Sequence, residues 1–406
     1  MKMKMNKEEK LQEIPAEIRP FLTRRRVLQA GAIGGAAALA AACGAGGTTS
    51  DSAAPAGENV DKSETDKKVV WSNWPLYMPV DEDTKAYTEL DAFTAETGIA
   101  VEYLEDYNDN NEFYAKQKPL LDKGEPLGRD IVSPTDWMAA LWINNGYALE
   151  LDKANIPNIS NLNQSYQNPS WDPGRKFSLP WQSGFAGVGW NKAKLQSALG
   201  TDKLTSMDQF FDPKLKGQVV VLSELRDTIP LILSWQGNDP TQFGDDEFQK
   251  AIDYLQTKVD DGHIQAFTGN EYATALENGD VIAVIGWSGD LGQLGDDFGF
   301  DLPETGGSIF VDQMLIPAGA EHKTNAEKLM NYFYDPAVAA RVAAYVQYIS
   351  PVDGAAEELM KTDPALAENP LIFPPADLLK RAYSAMTFTS EQAAKYNEAW
   401  AKLIGN

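Results

Sequence analysis

The 406 residues include one cysteine, Cys43, and two histidines, His263 and His322. A single thiol excludes an intramolecular disulfide framework and any thiolate cluster. The histidines share no helical spacing and sit in no zinc-like pattern, so each is expected at a surface or a helix end, and no metal is expected. Positive charge is scarce as well: 35 Lys and Arg face 59 Asp and Glu, for a net charge of −24. The first 42 residues carry eight Lys/Arg against four Glu, which leaves the remainder at about −28. Such a body repels phosphate backbones, and nucleic-acid binding is not expected. No Walker loop, Gly-x-Ser-x-Gly elbow or dinucleotide fingerprint opens a helix after a strand. No nucleophile stands with a plausible base. No cofactor is expected, and enzyme readings start weak.

Long hydrophobic runs are missing too. The longest run of small and apolar residues, Ala30 to Ala42, has 13 positions, too few to span a bilayer, and reads as the apolar region of a signal segment. Before it, Thr23-Arg24-Arg25-Arg26-Val27-Leu28-Gln29 resembles the twin-arginine export pattern. After it, Leu39-Ala40-Ala41-Ala42-Cys43-Gly44 resembles a bacterial lipobox, whose cysteine is lipidated and becomes the mature N-terminus. The usual Leu three positions before the cysteine is Ala40 here, with Leu39 one further back. Residues 1–42 are therefore expected to be a twin-arginine-type lipoprotein signal peptide. Residues 43–67, rich in Gly, Ala, Ser, Thr, Pro and charge, are expected to be a lipidated flexible tether at the outer face of the cell membrane.

The folded body starts at Lys68. Val69 to Asn73 reads as a strand, Tyr87, Leu90 and Phe93 share one face of a helix closed by Gly98, and Ile99 to Tyr103 reads as the next strand. The alternation continues through Asp130-Ile131-Val132 and Gln218 to Leu222, which is βαβ character and implies a mostly parallel sheet flanked by helices. A further strand, Val281 to Ile285, is expected to turn at Gly286 and to deliver Trp287 and Asp290 beyond its C-terminal edge, where open α/β sheets bind ligands. The last third reads as helical, beginning with one helix from Thr324 to Tyr345.

An ordered set of motifs then resembles the spermidine/putrescine-binding proteins of bacterial polyamine ABC importers. The set includes Asn73-Trp74-Pro75-Leu76-Tyr77, Ser133-Pro134-Thr135-Asp136-Trp137, Gly286-Trp287-Ser288-Gly289-Asp290 and Gln347-Tyr348-Ile349-Ser350-Pro351. The resemblance implies a two-lobed periplasmic-binding-protein fold, each lobe a mixed, mostly parallel sheet flanked by helices, with ligand in the interlobe cleft. On it, lobe 1 comprises 68–184 and 311–353, and lobe 2 comprises 185–310 and 354–406. It implies ligand contacts at Trp74, Tyr77, Thr135, Trp137, Glu224, Asp227, Trp287, Asp290, Phe310, Asp312 and Tyr348. Phe310 stands where many members have tryptophan. The implied partners are a polyamine (spermidine preferred, putrescine tolerated), ABC permease subunits and the membrane through the lipid anchor, with the chain itself a monomer.

The residue types agree with that chemistry. Each ammonium of a polyamine needs carboxylates or carbonyls, and each methylene run gains from a flat aromatic face. Only Arg226 lies in the proposed loops against four acids, which favours a cation over an amino-acid carboxylate. A lipoprotein for another small cationic or neutral solute and a polyamine sensor stay open. Paired acids also admit a secreted hydrolase, since two carboxylates can act as acid and nucleophile.

Overall fold

The computed structural model describes residues 60–405, so the expected signal peptide and the lipidation site at Cys43 lie outside the described residues. Ten strands form one mixed sheet: β1 (Lys68–Asn73), β2 (Ala100–Glu105), β3 (Ile131–Val132), β4 (Ser178–Asn191), β5 (Val219–Leu222), β6 (Ile264–Thr268), β7 (Ala283–Trp287), β8 (Phe298–Asp301), β9 (Gly307–Leu315) and β10 (Ala382–Ser384). Its order is β2-β1-β3-β9-β4-β7-β5-β6, with β8 on β4 and β10 on β9. The outer strands run parallel, β1 with β2 and β3, and β5 with β6 and β7. Such strands carry helices on both faces, and β5 is accordingly buried along its whole length.

Two long strands join the halves. β4 and β9 run antiparallel from one half of the sheet into the other, and their register shifts between Pro180 and Ser183. Before the shift, β9 pairs onward to β3 at Val132–Leu315. After it, β4 pairs onward to β7, from Ala186–Trp287 to Trp190–Ala283. This is the two-lobed arrangement, with the crossing strands between the lobes.

Local differences from the sequence reading have physical causes. Gly286 does not turn the chain: it pairs with Gly187 inside the β4–β7 ladder, and the strand runs on to Trp287. A Cβ there would stand 2.6 Å from the Tyr272 ring, so the glycine serves a close approach. The expected helix from Thr324 to Tyr345 is two, Lys323–Phe333 and Pro336–Val346. Asp335 caps the second by accepting from Ala337 N and Val338 N, and Pro336 suits its first turn. The end of the expected tether is packed: Ser63 is buried, its hydroxyl accepting from Asn325 N, and His322 contacts Asp66 at 3.2 Å. Of the stretch 354–406, helix Ala355–Met360 packs on helix Pro336–Val346, and the turn Pro364–Ala367 packs on helix Ala355–Met360. The end of the chain joins the other half, with Tyr396 stacked on Phe248 at 3.9 Å and Trp400 Nε1 donating to Ser223 O.

Candidate ligand-binding cleft

The C-terminal ends of six parallel strands face one cavity. β1 delivers Trp74 and Tyr77, β2 delivers Asn110, β3 delivers Thr135, β5 delivers Glu224 and Asp227, β6 delivers Asn270, and β7 delivers Trp287 and Asp290. Phe310 and Asp312 come from β9, where the period of two sends both side chains to one face of the crossing strand. Tyr348 follows helix Pro336–Val346. The space between these groups, with the solvent at its mouth, is ≈ 360 Å³. Trp74 and Trp287 meet edge to face across it at 6.0 Å, so the two lobes are closed on one another.

Every carboxylate in the cavity is buried and held by neutral donors. Asp312 accepts from Tyr77 OH and Thr135 Oγ1, both at 2.8 Å. Asp227 accepts from Trp287 Nε1 at 2.8 Å and Ser308 Oγ at 3.1 Å. Asp290 accepts from Tyr348 OH at 2.7 Å, Asn270 Nδ2 at 2.8 Å and Tyr272 OH at 2.9 Å. Glu224 accepts from Asn110 Nδ2 at 3.2 Å through Oε2, while its Oε1 is buried with no hydrogen-bond partner among the described residues. Asn110 also donates to Thr135 Oγ1 at 2.9 Å, so one amide links the Glu224 end of the cavity to Asp312.

None of the four carboxylates has a salt-bridge partner among the described residues. Arg226 is close by but is occupied elsewhere. It is sandwiched between the Trp137 ring at 4.1 Å and the Phe388 ring at 3.9 Å, and donates to Met386 O at 2.8 Å. Burial therefore dominates the titration. Asp312 is pushed up to about 7 and Asp227 to about 6, against the pull of their donors. Asp290 is raised by burial, and Glu224 is raised well above its ordinary value by burial and then by the charges of Asp109 and Asp227. Among the described residues no cluster of acids is arranged to hold a metal ion. The carboxylates instead share the cavity with the aromatic faces of Trp74, Tyr77, Trp287, Phe310 and Tyr348, an arrangement suited to a cation.

Ten of the eleven residues expected from sequence line this cavity. Trp137 does not, because its ring is taken by Arg226. Asp290 sits inside the helical turn Ser288–Gln293 and points its carboxylate at Tyr348 and Tyr272. Sequence reasoning missed Asn110, Asn270 and Tyr272. Asn110 and Asn270 follow strands β2 and β6 as Glu224 follows β5, and the strand-end rule applied to every parallel strand finds both.

The family model for bacterial extracellular solute-binding proteins matches residues 90–373. The chain belongs to that family. It is a binder, and the hydrolase reading of its paired acids falls. The chain is 28% identical to the putrescine-binding periplasmic protein SpuD of Pseudomonas aeruginosa over 348 residues, which cover 82% of this chain and 90% of the relative. It is 29% identical to the putrescine-binding periplasmic protein PotF of Escherichia coli, with the same coverage. Among solved structures, the spermidine/putrescine ABC transporter substrate-binding protein PotD of Streptococcus pneumoniae superposes with a TM-score of 0.66 at 22% identity, covering 83% of this chain and 98% of that one. At that identity the likeness speaks for the fold.

Proposed function

We propose that this solute-binding protein carries a linear polyamine in its interlobe cleft and delivers it to the permease of an ABC importer. One observation carries the reading: four buried carboxylates converge on an aromatic-walled cavity and none has a salt-bridge partner among the described residues. Leaving such charges unmatched is costly, and ammonium groups match them while methylenes lie on the rings. The names of SpuD and PotF support a diamine. The Glu224/Asp227 pair supports a longer amine, because it adds acidic positions to those of Asp290 and Asp312. Both spermidine and putrescine are accepted on this reading, spermidine more tightly.

The same proposal includes a monomer anchored through lipid on Cys43 at the outer face of the membrane, on the strength of the lipobox-like run. Native mass spectrometry of the purified protein, followed by calorimetric titration with putrescine, spermidine, a neutral sugar and arginine, tests the ligand. A co-purified or tightly bound amine is expected. Saturable binding of sugar or amino acid with no response to either amine overturns the reading.

A further inference from the structure

The cleft ends where three turns meet: β2 into helix Asn110–Leu121, β5 into helix Leu225–Trp235, and β6 into helix Glu271–Glu277. Each turn places one residue in the cleft, namely Asn110, Glu224 and Asn270. The immediate chain neighbours Asp109, Ser223, Gly269 and Glu271 line a second, larger groove of ≈ 1660 Å³. The cleft and the groove are thus the two sides of one seam between the lobes. On that seam Asn108 lies directly against Gly269, where a Cβ would stand 2.2 Å from Asn108 Oδ1.

Two acceptors on the seam lack donors. Glu224 Oε1 and Asn270 Oδ1 are buried without a hydrogen-bond partner among the described residues. Buried polar atoms are nearly always paired, and these two acceptors, at the ends of the neighbouring strands β5 and β6, are placed to take a donor from a ligand or from water. No lysine or arginine among the described residues lines the groove itself, and Lys116 at its edge is paired with Glu112 at 2.6 Å. Asp109 gives Oδ1 to Asn111 N and Glu112 N at the helix start, and Oδ2 accepts no hydrogen bond among the described residues. The groove repeats the chemistry of the cleft, with Phe267 and Trp400 edge to face at 5.5 Å beside Asp109 and Glu271. The Asp109 charge also contributes to the raised titration of Glu224, which places the two carboxylates in one electrostatic neighbourhood.

We propose that the binding site continues through this seam and that its ligand class extends to linear polyamines of four nitrogens. Two ammoniums occupy the inner cleft, a third lies among Glu224, Asn270 and Asp109, and the fourth lies in the outer groove. The lobes close over the chain as it crosses the seam. The inference rests on the polyamine reading of the inner cleft, which it lengthens.

Calorimetric titration of the full chain with a diamine (putrescine) and a linear tetraamine (spermine) tests it at one fixed ionic strength. Asp109→Asn and Asp109→Ser both keep a good helix cap while removing the charge. In both variants the tetraamine is expected to lose about tenfold more affinity than the diamine, the scale of one charge-assisted hydrogen bond. Equal losses for the two amines, or no loss for the tetraamine, overturn the extension and leave the inner site standing. A parent protein that binds the diamine but not the tetraamine does the same. A parent that binds neither amine overturns the polyamine reading itself, and the extension with it.

Discussion

Tyr77 and Asp312 are 235 positions apart in the chain, and the Tyr77 hydroxyl donates to Asp312 Oδ2 at 2.8 Å. With Thr135 on the other oxygen, the carboxylate has a neutral donor on each side and no cation. Neutral donors orient a buried carboxylate but offset only part of its lost hydration, which is why Asp312 is pushed up to about 7. The site is built to hold charge that the ligand must complete.

Binding should therefore expel protons. An ammonium favours the ionised carboxylate, and Asp312 and Asp227 stand at about 7 and about 6. Amine affinity is expected to fall about tenfold per pH unit below about 7, and more steeply below about 6. The stability sign runs the other way for the ligand-free protein. Both folded values lie above the ordinary 3.8. The unfolded chain therefore gives up these protons first, and their contribution to stability declines as pH rises from about 4 through about 7. Amine should consequently raise the melting temperature more at pH 8 than at pH 5. Calorimetry at pH 6.5 in two buffers of unequal ionisation enthalpy measures the proton release directly. A buffer-independent enthalpy would mean that the acids are already ionised, and the account fails.

The position of Tyr348 depends on two glycines. A Cβ at Gly289 would stand 2.2 Å from the Tyr348 ring, and one at Gly184 would stand 2.6 Å from it. Gly289→Ala is expected to displace the ring, break its hydrogen bond to Asp290 and weaken amine binding by more than about tenfold. Tyr348→Phe, which removes only the hydroxyl, should cost about three- to tenfold, the scale of one hydrogen bond. Titration calorimetry with a near-ultraviolet spectrum of each variant separates the cases. An alanine at Gly289 with parental affinity refutes the packing argument.

These contacts also show where the sequence stops being legible. Asp290 was legible from local pattern because it follows the apolar strand Val281 to Ile285, and Trp74, Glu224 and Asp312 were legible only through the family resemblance. Gly286 and Gly289 were not, because what they make room for, Tyr272 and Tyr348, is distant in sequence or on another element. The place of Trp137 outside the cavity was hidden for the same reason: its motif resembles a ligand loop, and only the fold brings Arg226 onto its face. The short strands β8 and β10 have too few residues to show a period. The crossing role of β4 and β9 rests on pairing between distant segments, which no window of sequence contains.

The anchoring proposal is tested on the sole cysteine. Cys43→Ser should move the protein from the membrane fraction to the exported fraction free of the membrane, because the lipid on this cysteine is the proposed anchor. Replacing Arg24, Arg25 and Arg26 with lysine should block export of folded protein. Membrane retention of the serine variant, with no lipid on the parent by mass spectrometry, removes the proposal.

The last prediction concerns ligand length. A diamine needs an acidic partner at each end of the cleft, and a triamine needs a further one. Asp312 is the better candidate for an anchor common to both, since it lies on the crossing strand between the lobes and is held by Tyr77 and Thr135. Glu224 lies at the far seam, with one oxygen on Asn110 and the other unpartnered among the described residues. Asp312→Asn keeps the shape and removes the charge, so putrescine and spermidine should both weaken, each by about tenfold or more. Glu224→Gln should weaken spermidine about tenfold more than putrescine, because only the longer chain reaches that oxygen. Titration of both variants with both amines at pH 8, above the values of Asp312 and Asp227, decides the matter. Equal losses at Glu224 would show that the seam does not measure length. An unchanged affinity in Asp312→Asn would show that the amine does not sit where the buried carboxylates converge.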